Sequence, residues 1–151
     1  MLYSFYLYYR HYCVYHEAFN HGRVAKDLRG DQKLISGLLF SMKSFCQKIN
    51  PKDLGPNALG NPFRSYSTPE YKLHYFESLS GYKLLFMTDP SVPLLRELLS
   101  FIYGSLVVEQ IIKNPTFDIG ERLTGHPLAP AFSKALNDCV QATPFFASLP
   151  Q

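Results

Sequence analysis

The alternation of apolar and polar residues near the N-terminus predicts two β-strands. Over residues 3–10 the side chains that share one side are Tyr3, Phe5, Leu7 and Tyr9. A period of two residues with this many aromatic side chains is typical of a strand. Residues 13–19 form a second predicted strand, and the short link over 10–12 makes the pair a hairpin.

Three more strands are predicted in the middle of the chain. They cover residues 63–68, 71–77 and 82–88. Pro62 and Pro69 bracket the first of these strands, which favours a sheet edge because proline cannot donate a backbone hydrogen bond. Residues 78–81, which end in glycine, predict a hairpin loop between the other two strands.

Helical periodicity and proline positions predict three helices. The first opens at Asp31 as N-cap and runs to about Ile49, the second runs from Pro93 to about Asn114, and the third covers residues 130–142. Residues rich in proline and glycine predict loops over 20–30, 51–62 and 115–129. The element order ββαβββαα predicts an α+β fold, in which a five-stranded antiparallel sheet is flanked by helices within one domain over residues 1–151.

Composition narrows the class of protein. The chain has 151 residues, of which 46% are hydrophobic and 18% charged, as expected for one globular domain. The net charge of +3 is too small to indicate nucleic-acid binding. The longest uncharged apolar stretch, residues 98–108, is shorter than the roughly 20 residues of a membrane span, so we expect a soluble protein. The three cysteines, Cys13, Cys46 and Cys139, are far apart in the sequence, and this wide spacing indicates reduced thiols in an intracellular protein.

The search for catalytic chemistry predicts no active site. Glycine-rich phosphate loops, dinucleotide fingerprints and nucleophile elbows are missing from the sequence. His16, Glu17 and His21 resemble a zinc motif, but His21 follows at i+5 instead of the i+4 that such a helix requires. We therefore expect no cofactor, no metal and no catalytic residue.

One aromatic residue of the first helix falls outside its predicted core face. On a wheel of about 100° per residue, one arc of about 140° contains Leu34, Ile35, Leu38, Leu39, Met42, Phe45, Cys46 and Ile49. Phe40 lies outside this arc, next to the small residues Gly37, Ser41 and Ser44. It either faces a partner, packs under a loop of its own domain, or is a lone exposed aromatic.

The second helix is apolar around its whole circumference. The wheel predicts a core face that contains Leu94, Leu95, Leu98, Ile102 and Ile112. Tyr103, Val107 and Ile111 lie opposite this face, where the last helix or a partner must cover them. Glu109 falls within the core arc, so it is either paired in the interior or reaches solvent from the helix end.

Several stretches resemble one known family. They are residues 37–45, 71–75 with Glu77 and Gly81, 88–89, 107–109 with 111–115, and 144–146. Together they resemble the small longin-type subunits, the subunit 1 family, of the transport protein particle (TRAPP) tethering complex. The resemblance covers residues 3–115 and departs at the first hairpin, where Tyr8, Tyr9 and Arg10 replace a usual Phe-Asp-Arg.

The resemblance implies a longin (profilin-like) fold and a non-catalytic scaffold subunit. Its partners would be a second longin-type subunit and a subunit of the other TRAPP fold. The assembled complex would exchange nucleotide on a Rab-family GTPase in ER-to-Golgi and intra-Golgi transport. The protein would then be cytoplasmic and peripheral at ER and Golgi membranes.

Under this interpretation we predict two partner-facing groups, and three alternatives stay open. The groups are Gly37, Phe40 and Ser44 on the first helix and Tyr103, Val107 and Ile111 on the second.

The first alternative is another longin protein, namely a small adaptor-type subunit of a vesicle coat. A longin-type SNARE fits poorly because no heptad region or tail anchor follows. The others are a profilin-like small-molecule-binding module and a free-standing enzyme.

Overall fold

A computed structural model describes residues 2–19, 28–49, 65–93 and 95–143. The strands are β1 (Leu2–Tyr9), β2 (Tyr12–Ala18), β3 (Ser65–Ser67), β4 (Lys72–Glu77) and β5 (Tyr82–Thr88). The helices are α1 (Leu28–Ile49), α2 (Arg96–Ile102), which continues as a π-helix over Tyr103–Ile112, and α3 (Ala129–Ala142). None of the helices in these described ranges is both long and apolar enough to cross a bilayer.

The five strands form one antiparallel sheet in the order β2-β1-β5-β4-β3. This confirms the predicted α+β fold and places the proline-bracketed strand β3 at an edge. Tyr9 pairs with Tyr12 across the first hairpin, so Arg10 and His11 form a two-residue turn. Arg10 adopts a φ of 57°, the left-handed conformation that such tight turns require.

The alternation along the strands divides the interior into two cores. Phe5 and Leu7 of β1 face the larger core, which α2, its π-helical continuation and α3 cover. Tyr6 and Tyr8 point to the opposite side of the sheet, where Leu39 of α1 packs. We call these two sides the closed face and the α1 face.

The first helix begins earlier than predicted. It starts at Leu28, so residues 28–30 are helical and not part of a loop, and Asp31 lies within the first turn instead of capping it. A carboxylate there is favourable because the helix N-terminus carries partial positive charge. The remainder of the predicted loop (20–27), the loop 51–62 and the segment 144–146 lie outside the described residues.

The second helix changes its winding after Ile102, which corrects the wheel prediction. At its end the amide of Lys113 donates to the carbonyl of Val108, five residues back, at 2.9 Å. Bonding from i to i+5 widens the turn, so each residue advances by roughly 80° instead of about 100°. Val107 and Ile111 therefore rotate onto the side of Ile102, and all three are at most 1% exposed.

The same change of winding settles the position of Glu109. Its side chain is 57% exposed and pairs with Lys113 at 2.9 Å, one turn along the helix. Of the two alternatives for this carboxylate, solvent exposure is confirmed.

Candidate interaction surface

Helix α1 covers the sheet with a narrow strip of its surface. Leu39 is buried, and Ile35, Met42 and Cys46 pack partly against the same core. Leu34 and Phe45, which the wheel placed in the core arc, are 74% and 56% exposed, so this part of the prediction is wrong. A lone helix on a sheet contacts it along one line, and an apolar arc of about 140° is wider than that contact.

Polar contacts fix the rotation of α1 above the two hairpins. The Ser36 hydroxyl donates to the carbonyl of His11 at 3.0 Å. About two helical turns further along, Nζ of Lys43 lies 3.0 Å from the carboxylate of Glu77, at the end of β4. These contacts orient one flank of the helix toward the end of the sheet where both hairpins turn.

Phe40 lies on this flank, between the two anchoring residues. It follows Ser36 by four positions and precedes Lys43 by three, and its side chain is 74% exposed. Phe40 thus does not pack under any loop within the described part of the chain. Gly37 is exposed, with nothing within 4 Å of where a Cβ would lie, and Ser44 is half-buried. Their small side chains leave room for another surface to approach Phe40.

The other predicted group does not form a surface. Val107 and Ile111 are packed inside the chain's own core, so the expectation that they face a partner is corrected. Tyr103 is half-buried. Its hydroxyl forms a 2.8 Å hydrogen bond with the hydroxyl of Ser80, and the centroid of its ring lies 5.7 Å from that of Phe76. The prediction therefore stays possible at α1, where Gly37 and Phe40 are exposed, and fails at Val107 and Ile111 of the second helix, which are buried.

The described histidines occupy separate places and serve different contacts. His74 is buried against the hydroxyl of Thr88 at 2.8 Å, and burial lowers its pKa to about 4. His16 packs 4.5 Å from the ring of Tyr6. Within the described ranges, no group of three or more histidine, cysteine or acidic residues is placed to hold a metal ion. His21 of the zinc-like motif lies outside those ranges.

Comparisons with known proteins find one family and several named relatives. A family model described as the Sybindin-like family matches residues 2–143. The chain is 36% identical over 149 residues to trafficking protein particle complex subunit 1 of Dictyostelium discoideum, covering 98% of this chain and 100% of the relative. The human protein of that name is 35% identical over 118 residues, covering 78% of this chain and 75% of its own. BET5 of Saccharomyces cerevisiae is 27% identical over 121 residues, which cover 75% of this chain and 73% of BET5.

Among solved structures, the chain is similar to the gliding protein MglB of Thermus thermophilus. The TM-score is 0.43 at 11% identity, and the match covers 94% of this chain and 80% of MglB.

Proposed function

Because this chain belongs to the Sybindin-like family, we propose that it is a subunit of a trafficking protein particle complex that acts in vesicle transport. The observation that carries this proposal is the match to the Dictyostelium subunit, which extends over 98% of this chain and the whole relative. Similarity over the entire length of both chains favours the same role, since the surfaces that an assembly needs are then included.

We further propose that the role is that of a scaffold and not of an enzyme. In the assembled complex the chain would help form a platform for nucleotide exchange on a Rab-family GTPase, in ER-to-Golgi and intra-Golgi transport. Exchange needs a surface that binds the nucleotide-poor GTPase better than the loaded form, and it needs no nucleophile or metal. Contact with membranes at the ER and Golgi would be peripheral and made through the complex.

The outward side of α1 is the part of this chain that we propose contacts a neighbouring subunit. We define the α1 outer surface as Leu34, Gly37, Phe40, Ser44 and Phe45. Its three large apolar side chains, which lie within about three turns of one helix, are each more than half exposed. Covering them releases apolar area from water at about 25 cal/mol per Å², which favours association with a second longin-type subunit or a subunit of the other TRAPP fold.

Co-purification of a tagged chain from its own cells tests both levels of the proposal. We expect other small TRAPP subunits at near-stoichiometric yield with the unmodified chain, and their loss with Phe40→Asp. A matched control is Phe101→Asp, because Phe101 of α2 is 58% exposed on the closed side of the sheet. Thermal unfolding of the purified variants shows that each one is folded.

The outcomes separate the two levels. If the unmodified chain elutes without TRAPP subunits, the assignment to the complex is wrong; large coat-adaptor subunits in their place would support the adaptor alternative. If Phe40→Asp retains its partners as Phe101→Asp does, the complex assignment stands but the α1 outer surface is not the contact. Purified complexes are then tested for acceleration of nucleotide release from Rab-family GTPases.

A further inference from the structure

A cavity of about 390 Å³ lies where three segments of the chain meet. The turn of the first hairpin, the second turn of α1 and the segment before α3 form its walls. The described residues that line it are His11, Tyr12, Cys13, Gln32, Lys33 and Arg122. Its volume falls within the range of small-molecule sites, roughly 300–1,000 Å³.

The fixed charges among the described lining residues are positive. Lys33 and Arg122 come from different segments, and none of the six described lining residues is acidic. In the described part of the chain, neither Lys33 nor Arg122 forms an ion pair. Two cations that line one cavity make its electrostatic potential positive, which favours binding of an anion there.

Two acidic residues, Asp31 and Glu121, are close in sequence to residues that line the cavity, but neither is among the described lining residues. Glu121, which precedes Arg122, accepts from the amide of Asp118 at 3.2 Å and lies 3.9 Å from His126. Asp31 is close to Tyr6, where burial and then the Asp31 charge raise the pKa of the phenol. Burial raises the pKa of the Cys13 thiol to about 11, so no thiolate offsets the two cations at neutral pH.

Hydrogen bonds between elements hold the walls of the cavity in place. Tyr8 donates to the carbonyl of Gln32 at 2.7 Å, which ties α1 to the sheet next to Lys33. The amides of Leu123 and Thr124 donate to the carbonyl of Val14 at 2.8 and 3.1 Å, which ties the segment that carries Arg122 to β2. These bonds fix the backbone that carries Lys33 and Arg122, which reduces the conformational entropy lost when a ligand binds.

We infer that this cavity binds a phosphate monoester, which is carried by a small molecule or by a lipid headgroup. At neutral pH such a group carries a charge of about −1.5 to −2 and three acceptor oxygens, which match Lys33, Arg122 and the imidazole of His11. The guanidinium presents two parallel donors to phosphate oxygens. Tyr12 and Cys13, which also line the cavity, form an uncharged wall for the group esterified to the phosphate. This inference does not depend on membership of a trafficking complex.

Titration calorimetry of the full-length chain with inorganic phosphate and phenyl phosphate tests the inference. We expect saturable binding, with phenyl phosphate tighter than inorganic phosphate because its ring adds contacts with the uncharged wall at Tyr12 and Cys13. Arg122→Gln should weaken phenyl phosphate binding by about tenfold, the effect of losing one charge-assisted pair. Lys134→Gln, which removes an exposed cation of α3, is the matched control and should leave the affinity unchanged.

Co-flotation with vesicles distinguishes the two sources of the phosphate. A lipid headgroup would be indicated if the chain binds vesicles that contain a phosphatidylinositol monophosphate but not vesicles that contain phosphatidylserine. Arg122→Gln should then abolish the vesicle binding. Binding of phenyl phosphate without vesicle binding would indicate a soluble ligand. No binding in either experiment, or equal loss with Arg122→Gln and Lys134→Gln, would overturn the inference. Because Arg122 is exposed, its replacement is not expected to unfold the chain.

Discussion

The two faces of the sheet are covered to different extents. On the closed face, α2, its π-helical continuation and α3 pack together over one core that includes Leu99, Val107 and Leu136. On the α1 face, one helix contributes Leu39 as its buried residue among those described, while Leu34, Phe40 and Phe45 remain exposed. Among the described residues of these helices, the closed face leaves one large apolar side chain more than half exposed, Phe101, whereas α1 leaves three, which we propose a neighbouring subunit covers.

Polar contacts strengthen the closed face further. Glu17 of the edge strand β2 accepts hydrogen bonds from Tyr15, Ser133 and Asn137 at 2.8–2.9 Å. These bonds join the edge of the sheet to α3 and satisfy a half-buried carboxylate. The difference between the faces shows that apolar residues on a helix indicate a partner only where no other part of the same chain covers them.

The largest expected effect tests the winding of the second helix. Ile111→Ala should lower the free energy of unfolding by about 2–5 kcal/mol, because it leaves a cavity in the core of the closed face. Ile112→Ala should cost less than half of that, since Ile112 is only partly buried. Urea denaturation measures both. A larger loss for Ile112 would mean that the helix keeps an α-helical rotation and that Val107 and Ile111 turn outward.

A smaller effect is expected at Gly120, beside the hairpin turn. Its φ is +84°, and a Cβ there would lie 2.6 Å from the Tyr12 hydroxyl and 2.8 Å from the ring of Tyr9. Gly120→Ala should therefore destabilise by about 3 kcal/mol through strain and overpacking. Gly125→Ala is the matched control, because Gly125 has a φ of +83° with open space around it, and should cost about 1 kcal/mol. Equal losses in urea denaturation would show that the tyrosines yield without cost.

The smallest effect is expected on the α1 face. Leu34→Ala and Phe45→Ala should change the free energy of unfolding of the isolated chain by no more than about 0.5 kcal/mol, because both side chains are already exposed. Leu39→Ala on the same helix should cost about 2–5 kcal/mol, since Leu39 is buried. Similar losses at Leu34 and Leu39 in calorimetric unfolding would mean that the α1 face is closed in solution.

The elements were predictable from local pattern because the strands alternate with period two and proline or glycine marks their ends. The strand order was not, since any of several antiparallel arrangements satisfies the same alternation. Phe40 was predictable as a residue outside the core arc, although its role in binding a partner remains a prediction. The exposure of Leu34 and Phe45 was not predictable, because a wheel shows how wide the apolar arc is and not how much of it a neighbour covers.

By itself, the sequence determined the α+β class, the position of β3 at an edge, and the family to which the chain belongs. The tertiary structure decided which apolar residues are internal. A change from about 100° to roughly 80° per residue moves Val107 and Ile111 from the side opposite Ile102 to the same side of the helix. It also brought His11, Lys33 and Arg122 around one cavity, since residues 22 to 111 positions apart in sequence converge only when the chain folds.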